Sequence, residues 1–356
     1  MNKLEVAVIG QGRSGKDIHG LYYNGENNLY YRVKYIVEAS EKRREIALKT
    51  YPRCETLADY KDLVGKKVDL VVNATYSDEH YEITKFLLEH GFNVLVEKPF
   101  ARNVYECDTL IKIAKERGAI LAVFQQTMYA PFYIHAKALT ESGKLGKIRE
   151  ISIRYSGFSR RWDWQTLQKM MGGNMYNTGP HPIGVGLGLI NFDVNAKTIY
   201  TKLATTLMSS GDSDDFSKVV IEASDGTVVD IEINNNDAFS DYNLKILGDK
   251  GTYCATPSKY RLKYLEDGEN PVRQVKDTFL CDEEYNPRYC VEELKVREEE
   301  GEYNGTAFDE GTRAFYEDLY YAITKGKPMK YVPEQYKHII GVIEQAHALN
   351  PLTRKY

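Results

Sequence analysis

The sequence predicts an α/β protein in which an N-terminal doubly wound parallel sheet is followed by a C-terminal α+β portion with a large, open, mostly antiparallel sheet. Three observations predict it. Over the first third of the chain, short continuous runs of Val, Ile and Leu alternate with amphipathic segments of helical period, the pattern of parallel strands buried on both faces. A glycine-rich turn separates the first run from the first helical segment. Beyond Gln125 the apolar period changes to two, as in a sheet with one covered face. The boundary is therefore placed at residue 124, dividing the chain into 1–124 and 125–356.

Taken in order, Leu4 to Ile9 reads as a strand, "GQGRSGKDIHGLYY" as a turn opening a helix, and "YRVKYIVEAS" as the second strand. The unit then repeats: "EKRREIALKTY" is helical, "VDLVVNAT" a buried strand, "DEHYEITKFLLEHG" a helix closed by Gly91, and "FNVLVEKP" a strand. "VYECDTLIKIAKERG", closed by Gly118, and "AILAVFQQ" complete the first part, with right-handed crossovers throughout. In the second part "KIREISIRYSG", "TIYTKLATTL", "SKVVIEAS", "TVVDIEINNN" and "YNLKILGDKGTYCA" alternate as strands. Thr312, Phe315, Leu319, Ala322 and Ile323 fall at helical spacing and Pro333 opens a further helical segment; these two helices are expected to cover the second sheet. Residues 270–305 are acidic, contain Tyr and lack a period, and read as a long excursion without an assigned role.

With 356 residues, 42% hydrophobic and 28% charged, the chain can bury two cores. A net charge of -4 and the lack of a Lys/Arg stripe exclude a nucleic-acid or anionic-membrane surface, leaving small molecules or proteins as partners. Five cysteines (Cys54, Cys107, Cys254, Cys281, Cys290) without a CxxC pair are expected to be reduced and inert, with no metal centre. The glycine turn comes too early for a signal peptide, and no run of about 18 apolar residues occurs. A cytoplasmic protein is expected.

Gly10, Gly12 and Gly15 form G-x-G-x-x-G between a strand and a helix, the context of a dinucleotide-binding Rossmann unit. Gly10 permits the tight turn, Gly12 the approach of a pyrophosphate, and Gly15 close packing of helix on strand. With Gln11, Arg13 and Ser14 they form the candidate phosphate loop, whose helix N-terminus offers free N–H groups. Glu38 ends the second strand, where a carboxylate accepts hydrogen bonds from a ribose 2′-hydroxyl and repels a 2′-phosphate, favouring NAD over NADP. Arg43 and Arg44 nearby weigh against that preference, or are solvated helix surface.

"VLVEKPFARN" places Glu97 and Lys98 at the carboxyl end of an apolar strand, on the edge where such sheets bind ligands. A salt-bridged pair at a strand end and a pair aimed at the nicotinamide are both consistent with these residues.

The stretch "VDLVVNATYSDEHYEITKFLLEHGFNVLVEKPFARN" resembles the signature region of the Gfo/Idh/MocA oxidoreductases, and "GKLGKIREISI", "GGNMYNTGPHPIG", "LKILGDKGTY" and "FYEDLYYAITKGKPMKYVPEQ" extend the resemblance over essentially the whole chain. The resemblance implies that Lys98 lies beside both the nicotinamide ribose and the reacting hydroxyl, with Glu97 as a cofactor contact and Pro99 fixing the turn. It further implies that Ala74, Thr75, Tyr76 and His80 line the cofactor, although Tyr76 stands where the family usually has Pro, and that Gln126 touches it. His181 matches the catalytic His, and Asn177 stands where an Asp is usual; an amide cannot supply a carboxylate but can bond a sugar hydroxyl. The resemblance also implies pairing through the open sheet face and hence a homo-oligomer, a dimer or tetramer.

Oxidising a secondary alcohol with NAD requires a base on the hydroxyl proton, which His181 fits by type, and a cation beside the oxygen, which Lys98 supplies. Tyr129, Arg160, Trp162 and Trp164, with Arg161, offer indole faces and forked donors for a sugar, or packing between the two parts of the chain. The expected activity is an NAD-dependent oxidoreductase acting on a sugar, polyol or glycoside. Two rival readings stand beside it: a glycosidase whose tightly bound NAD is reduced and reoxidised in each turnover, and a sensor that binds NAD without chemistry.

Overall fold

The structure, a computed structural model, describes residues 3–289 and 291–356. Met1, Asn2 and Cys290, the last counted above among the inert thiols, lie outside the described residues. The remaining four cysteines are free, and among the described residues no helix is long and apolar enough to cross a membrane.

The first sheet consists of β1 (Leu4–Ile9), β2 (Tyr31–Val37), β3 (Glu55–Leu57), β4 (Leu70–Asn73), β5 (Val94–Glu97) and β6 (Leu121–Phe124), all parallel in the order β3-β2-β1-β4-β5-β6. Strands β4, β5 and β6 are buried along their whole length, which is why they read as unbroken apolar runs. The edge strand β3, only three residues and partly exposed, carries no such run and went unanticipated. The chain leaves β1 through the glycine turn into a helical segment, Ser14–His19 continuing as α1 (Gly20–Asn24). Helices α2 (Glu41–Thr50), α3 (His80–Glu89) and α4 (Val104–Arg117) complete the crossovers. Strand order reverses between β1 and β4, so the carboxyl ends of these two strands open a crevice.

After α5 (Pro131–Glu141), the second sheet adds β7 (Ile148–Arg154), then, past α6 (Asn174–Asn177) and α7 (Pro180–Leu189), β8 (Lys197–Ala204), β9 (Phe216–Glu222), β10 (Val228–Asn234), β11 (Leu244–Gly248), β12 (Gly251–Ala255), β13 (Lys259–Tyr264) and β14 (Arg297–Glu302). The order is β14-β13-β12-β11-β7-β10-β9-β8, antiparallel except for the β7–β10 pair. Helix α7 seats directly on this sheet: a Cβ on Gly186 would lie 2.7 Å from Val229 Cγ1. Its sequence, with three glycines and two prolines, has poor intrinsic helix propensity, so its helical state comes from packing.

Among the described residues the acidic excursion is irregular and largely exposed as far as β14, where Glu298, Glu300 and Glu302 face Lys263, Arg261 and Lys259 across the strand pair. A short, highly charged edge of this kind resists further strand pairing.

The two C-terminal helices depart from expectation. In α8 (Thr312–Lys325), Tyr316 stacks on Tyr22 with centroids 4.2 Å apart, Tyr320 stacks on Tyr30, and Phe315 meets Phe124 edge to face. In α9 (Pro333–Leu349), Glu334 and Lys337 pair with Lys115 and Asp108 of α4. Both helices thus pack back onto the first sheet and its helices, and only α9 also reaches β8 of the second sheet. Helical period identifies an apolar face without specifying which sheet receives it.

Candidate active site

A cavity of about 810 Å³ opens along the carboxyl edge of the first sheet and is walled on its far side by loops of the second part of the chain. Gly10, Gly12, Arg13 and Ser14 contribute one end. Gly10 has φ +89°, and a Cβ on Gly15 would stand 1.9 Å from the Gly10 carbonyl oxygen, so both positions require glycine. A Cβ on Gly12 meets nothing within 4 Å. The space above Gly12 is therefore free for a phosphate approaching the helix N-terminus, and the turn fits a dinucleotide.

Gln11 does not line the cavity. It is buried with its amide on the Gly10 carbonyl, 3.0 Å, and its backbone N–H donates to Glu38 Oε2 at 2.8 Å, so it braces the turn. Glu38 lines the cavity, its other oxygen accepting from Ser40 N–H at 2.9 Å. Arg43 lines the cavity too, 3.7 Å from Glu38, whereas Arg44 is folded back onto the Glu38 and Ala39 carbonyls.

Ala74, Thr75 and Tyr76 follow β4 into the cavity wall, and Glu97, Lys98 and Gln126 form its floor. The Lys98–Pro99 peptide is cis. Lys98 Nζ donates to the Asn177 carbonyl at 2.9 Å. Burial pulls the ammonium below its ordinary range, with Arg13 and Arg161 adding to that, while Glu97 pulls the other way. Burial alone would raise the Glu97 carboxyl, but His19, Lys98 and His80 together hold it below the usual range.

From the second part of the chain, Arg161, Asp163, Trp164, Gln165, Asn177 and His181 reach the same cavity. His181 Nδ1 is 2.8 Å from Thr127 Oγ1, which leaves Nε2 for a ligand. Burial and the Lys98 charge lower its pKa to about 3, so the imidazole is neutral. Asn177 Oδ1 accepts from Gln165 Nε2 at 2.9 Å, leaving the Asn177 amide N–H groups free to donate. Trp164 meets Tyr76 edge to face with centroids 4.9 Å apart, joining the two walls.

Four expected site residues lie elsewhere. His80 is 1% exposed beneath the floor, its Nδ1 2.8 Å from the Pro99 carbonyl; it supports the Lys98–Pro99 turn. Tyr129 is buried against Phe315 and Tyr331, with its hydroxyl on Asp318, because the turn that carries it faces α8. Arg160 is exposed and outside the cavity. Trp162 is 83% exposed; in this irregular loop Trp164 points inward and Trp162 outward.

Sequence reasoning passed over His19, Thr127, Asp163 and Gln165. His19 follows Gly15 by one helical turn, which was a usable signal, and Thr127 adjoins Gln126. Gln165 had no signal, since an irregular loop has no period.

Residues 4–125 match the model of an oxidoreductase family with an NAD-binding Rossmann fold, and residues 133–254 match that of the GFO/IDH/MocA C-terminal domain. The uncharacterized oxidoreductase YhhX of Escherichia coli is 32% identical over 153 residues, 43% of this chain and 44% of its own length. The NADP-dependent scyllo-inositol 2-dehydrogenase IolW of Bacillus subtilis is 25% identical over 192 residues, 53% and 52%. The chain thus spans about half the length of these curated relatives. An inositol 2-dehydrogenase of Salmonella typhimurium is 24% identical over 277 residues, 74% of this chain and 79% of its own. Among solved structures, yhhX superposes with a TM-score of 0.77 at 21% identity, covering 97% of this chain and 96% of the other. GenD2 from gentamicin A biosynthesis, in complex with NAD, gives 0.72 at 18% identity, covering 98% and 94%. At these identities the structural likeness speaks for the fold.

Proposed function

The chain belongs to the GFO/IDH/MocA oxidoreductases, and from that premise we propose that it oxidises a secondary alcohol of a sugar, polyol or glycoside with NAD, Lys98 and His181 handling the proton. The observation that carries the proposal is that these two residues, distant in sequence, line one cavity, with Lys98 fastened to the carbonyl of Asn177. The inositol dehydrogenases among the relatives support the substrate class.

Residues 1–124 serve as the cofactor unit and 125–356 as the substrate and oligomerisation unit. The turn from Gly10 to Gly15, with Glu38, Ala74, Thr75, Tyr76, Glu97 and Gln126, would hold the dinucleotide. Glu38 favours NAD over NADP, since a 2′-phosphate there would face a carboxylate. When bound, NAD supplies the hydride acceptor at its nicotinamide.

With Nδ1–H donated to Thr127, His181 Nε2 carries the lone pair that takes the hydroxyl proton. The Lys98 ammonium, which lines the same cavity, stabilises the developing alkoxide. Asn177, held by Gln165, donates to a neighbouring hydroxyl, and the Trp164 indole offers a face to the ring.

The test mixes protein and NAD with a panel of sugars, polyols and glycosides, following the absorbance of reduced cofactor and the release of aglycone. Reduced cofactor accumulating with one member is expected. Aglycone release without it would establish the glycosidase reading, and tight NAD binding with neither signal across the panel would overturn the proposal.

A further inference from the structure

His19 has no place in the chemistry described above, yet it sits directly beneath it. It is fully buried, at 0% exposure, one turn beyond Gly15, with its ring tilted against Phe124 at 4.5 Å between centroids. Its Nδ1 is 2.7 Å from Tyr316 Oη. Its Nε2 is 3.2 Å from Glu97 Oε1, an ion-pair distance without hydrogen-bond alignment, and neither of these two buried atoms has a hydrogen-bond partner among the described residues. The remaining Glu97 oxygen accepts from the Lys98 backbone N–H at 3.0 Å.

We propose that His19 is a positioning residue that acts through Glu97 to keep Lys98 cationic. The inference rests on the reading of Lys98 as the cation of the reaction. A carboxyl buried to 3% exposure takes up a proton unless donors and cations compensate it. With the Tyr316 hydroxyl donated to Nδ1, the ring proton sits on Nε2, the nitrogen that lies 3.2 Å from the Glu97 carboxylate. The phenol is available as that donor because burial pushes its ionisation well above the ordinary range.

The groups facing Glu97 are His19, Lys98 and His80, and those bearing on Lys98 are Glu97, Arg13 and Arg161, with His181 across the cavity. Among those bearing on Lys98, only Glu97 favours the ammonium. Loss of the His19 contact lets Glu97 become neutral, and the ammonium then stands against two guanidinium groups without an opposing charge.

The ionisation of Lys98 is read on the full-length protein by its pH-dependent acetylation with acetic anhydride, quantified by peptide mass spectrometry. His19→Leu is expected to lower the midpoint by about one pH unit, as Glu97→Gln does. His19→Gln keeps an N–H donor and is expected to return the midpoint most of the way to the wild-type value, which loss of packing alone would not allow. An unmoved midpoint in folded His19→Leu, or equal shifts in the Leu and Gln variants, overturns the proposal. Should His19→Leu fail to fold, Tyr316→Phe carries the test with a smaller shift in the same direction, and an unmoved midpoint there overturns it. NAD binding by the unaltered protein, followed by fluorescence, is a separate readout. Its absence would sink the functional reading while the acetylation result on His19 stands.

Discussion

Lys98 Nζ donates a 2.9 Å hydrogen bond to the backbone carbonyl of Asn177, tying the end of β5 to the turn that precedes His181. A cation held by a carbonyl rather than by a carboxylate keeps its charge available to a ligand. Lys98→Met is expected to lower kcat by about 10²–10³-fold while NAD affinity changes little, checked by steady-state kinetics alongside fluorescence titration. Because burial lowers the ammonium's pKa, wild-type activity is expected to fall on the alkaline side earlier than for an ordinary lysine.

His181→Asn should cost about 10²–10⁴-fold in kcat. With its pKa lowered to about 3, His181 is neutral throughout the working range, so kcat/KM is expected to show no acid limb near 6.5. Asn177→Asp places a carboxylate in the cavity that His181 lines, and is expected to raise the imidazole pKa and bring such a limb into view. A pH profile of the two proteins checks this.

Gly12 and Gly15 make a discriminating pair. Gly12→Ala adds a methyl to open space, and is expected to leave Tm unchanged while weakening NAD binding by about tenfold, ~1.4 kcal/mol. Gly15→Ala drives a Cβ into the Gly10 carbonyl and is expected to lower Tm by several degrees as well. Thermal melts and cofactor titrations separate the two.

Glu38→Gln removes the negative charge proposed to face the ribose while Arg43 remains in the cavity. The ratio of NADP to NAD affinity is expected to rise by about tenfold, measured by paired titrations.

Acid should destabilise the fold through its buried histidines. His80, His181 and His347 all have pKa values lowered by burial. The unfolded chain therefore binds protons that the folded chain does not. Stability is full above the unfolded value, 6.5, and is lost as pH falls below it. Melts between about pH 7 and 5 are expected to show a declining Tm, with a smaller decline in His80→Gln.

The first sheet was largely legible because each of its central strands is buried on both faces and therefore spelled in one alphabet, as "VLVE" at Val94–Glu97 shows. The sequence motifs singled out Gly10, Gly12, Glu38, Lys98 and His181, and all five line the same cavity. Trp162 and Trp164 are identical in type and two apart, and only the path of the loop separates an 83% exposed ring from one in the cavity wall. Tyr129 misled for the same reason in reverse: a tyrosine beside a cofactor contact can equally turn inward. Helix α7 was illegible because its glycines serve tertiary contacts that no local pattern records: Gly186 against Val229 of β10, Gly184 against Gln125 and Gly188 against Tyr133.

The return of α8 to the tyrosines of the first sheet gives that sheet a dependence on the far end of the polypeptide. During vectorial synthesis β1 and β2 emerge early, but Tyr31 lacks its Tyr316 neighbour until 285 further residues have been made. A chain released after β14 would leave that aromatic surface wet and prone to self-association. The first sheet is thus a late product of biogenesis, closed by residues translated 285 positions after its own second strand began.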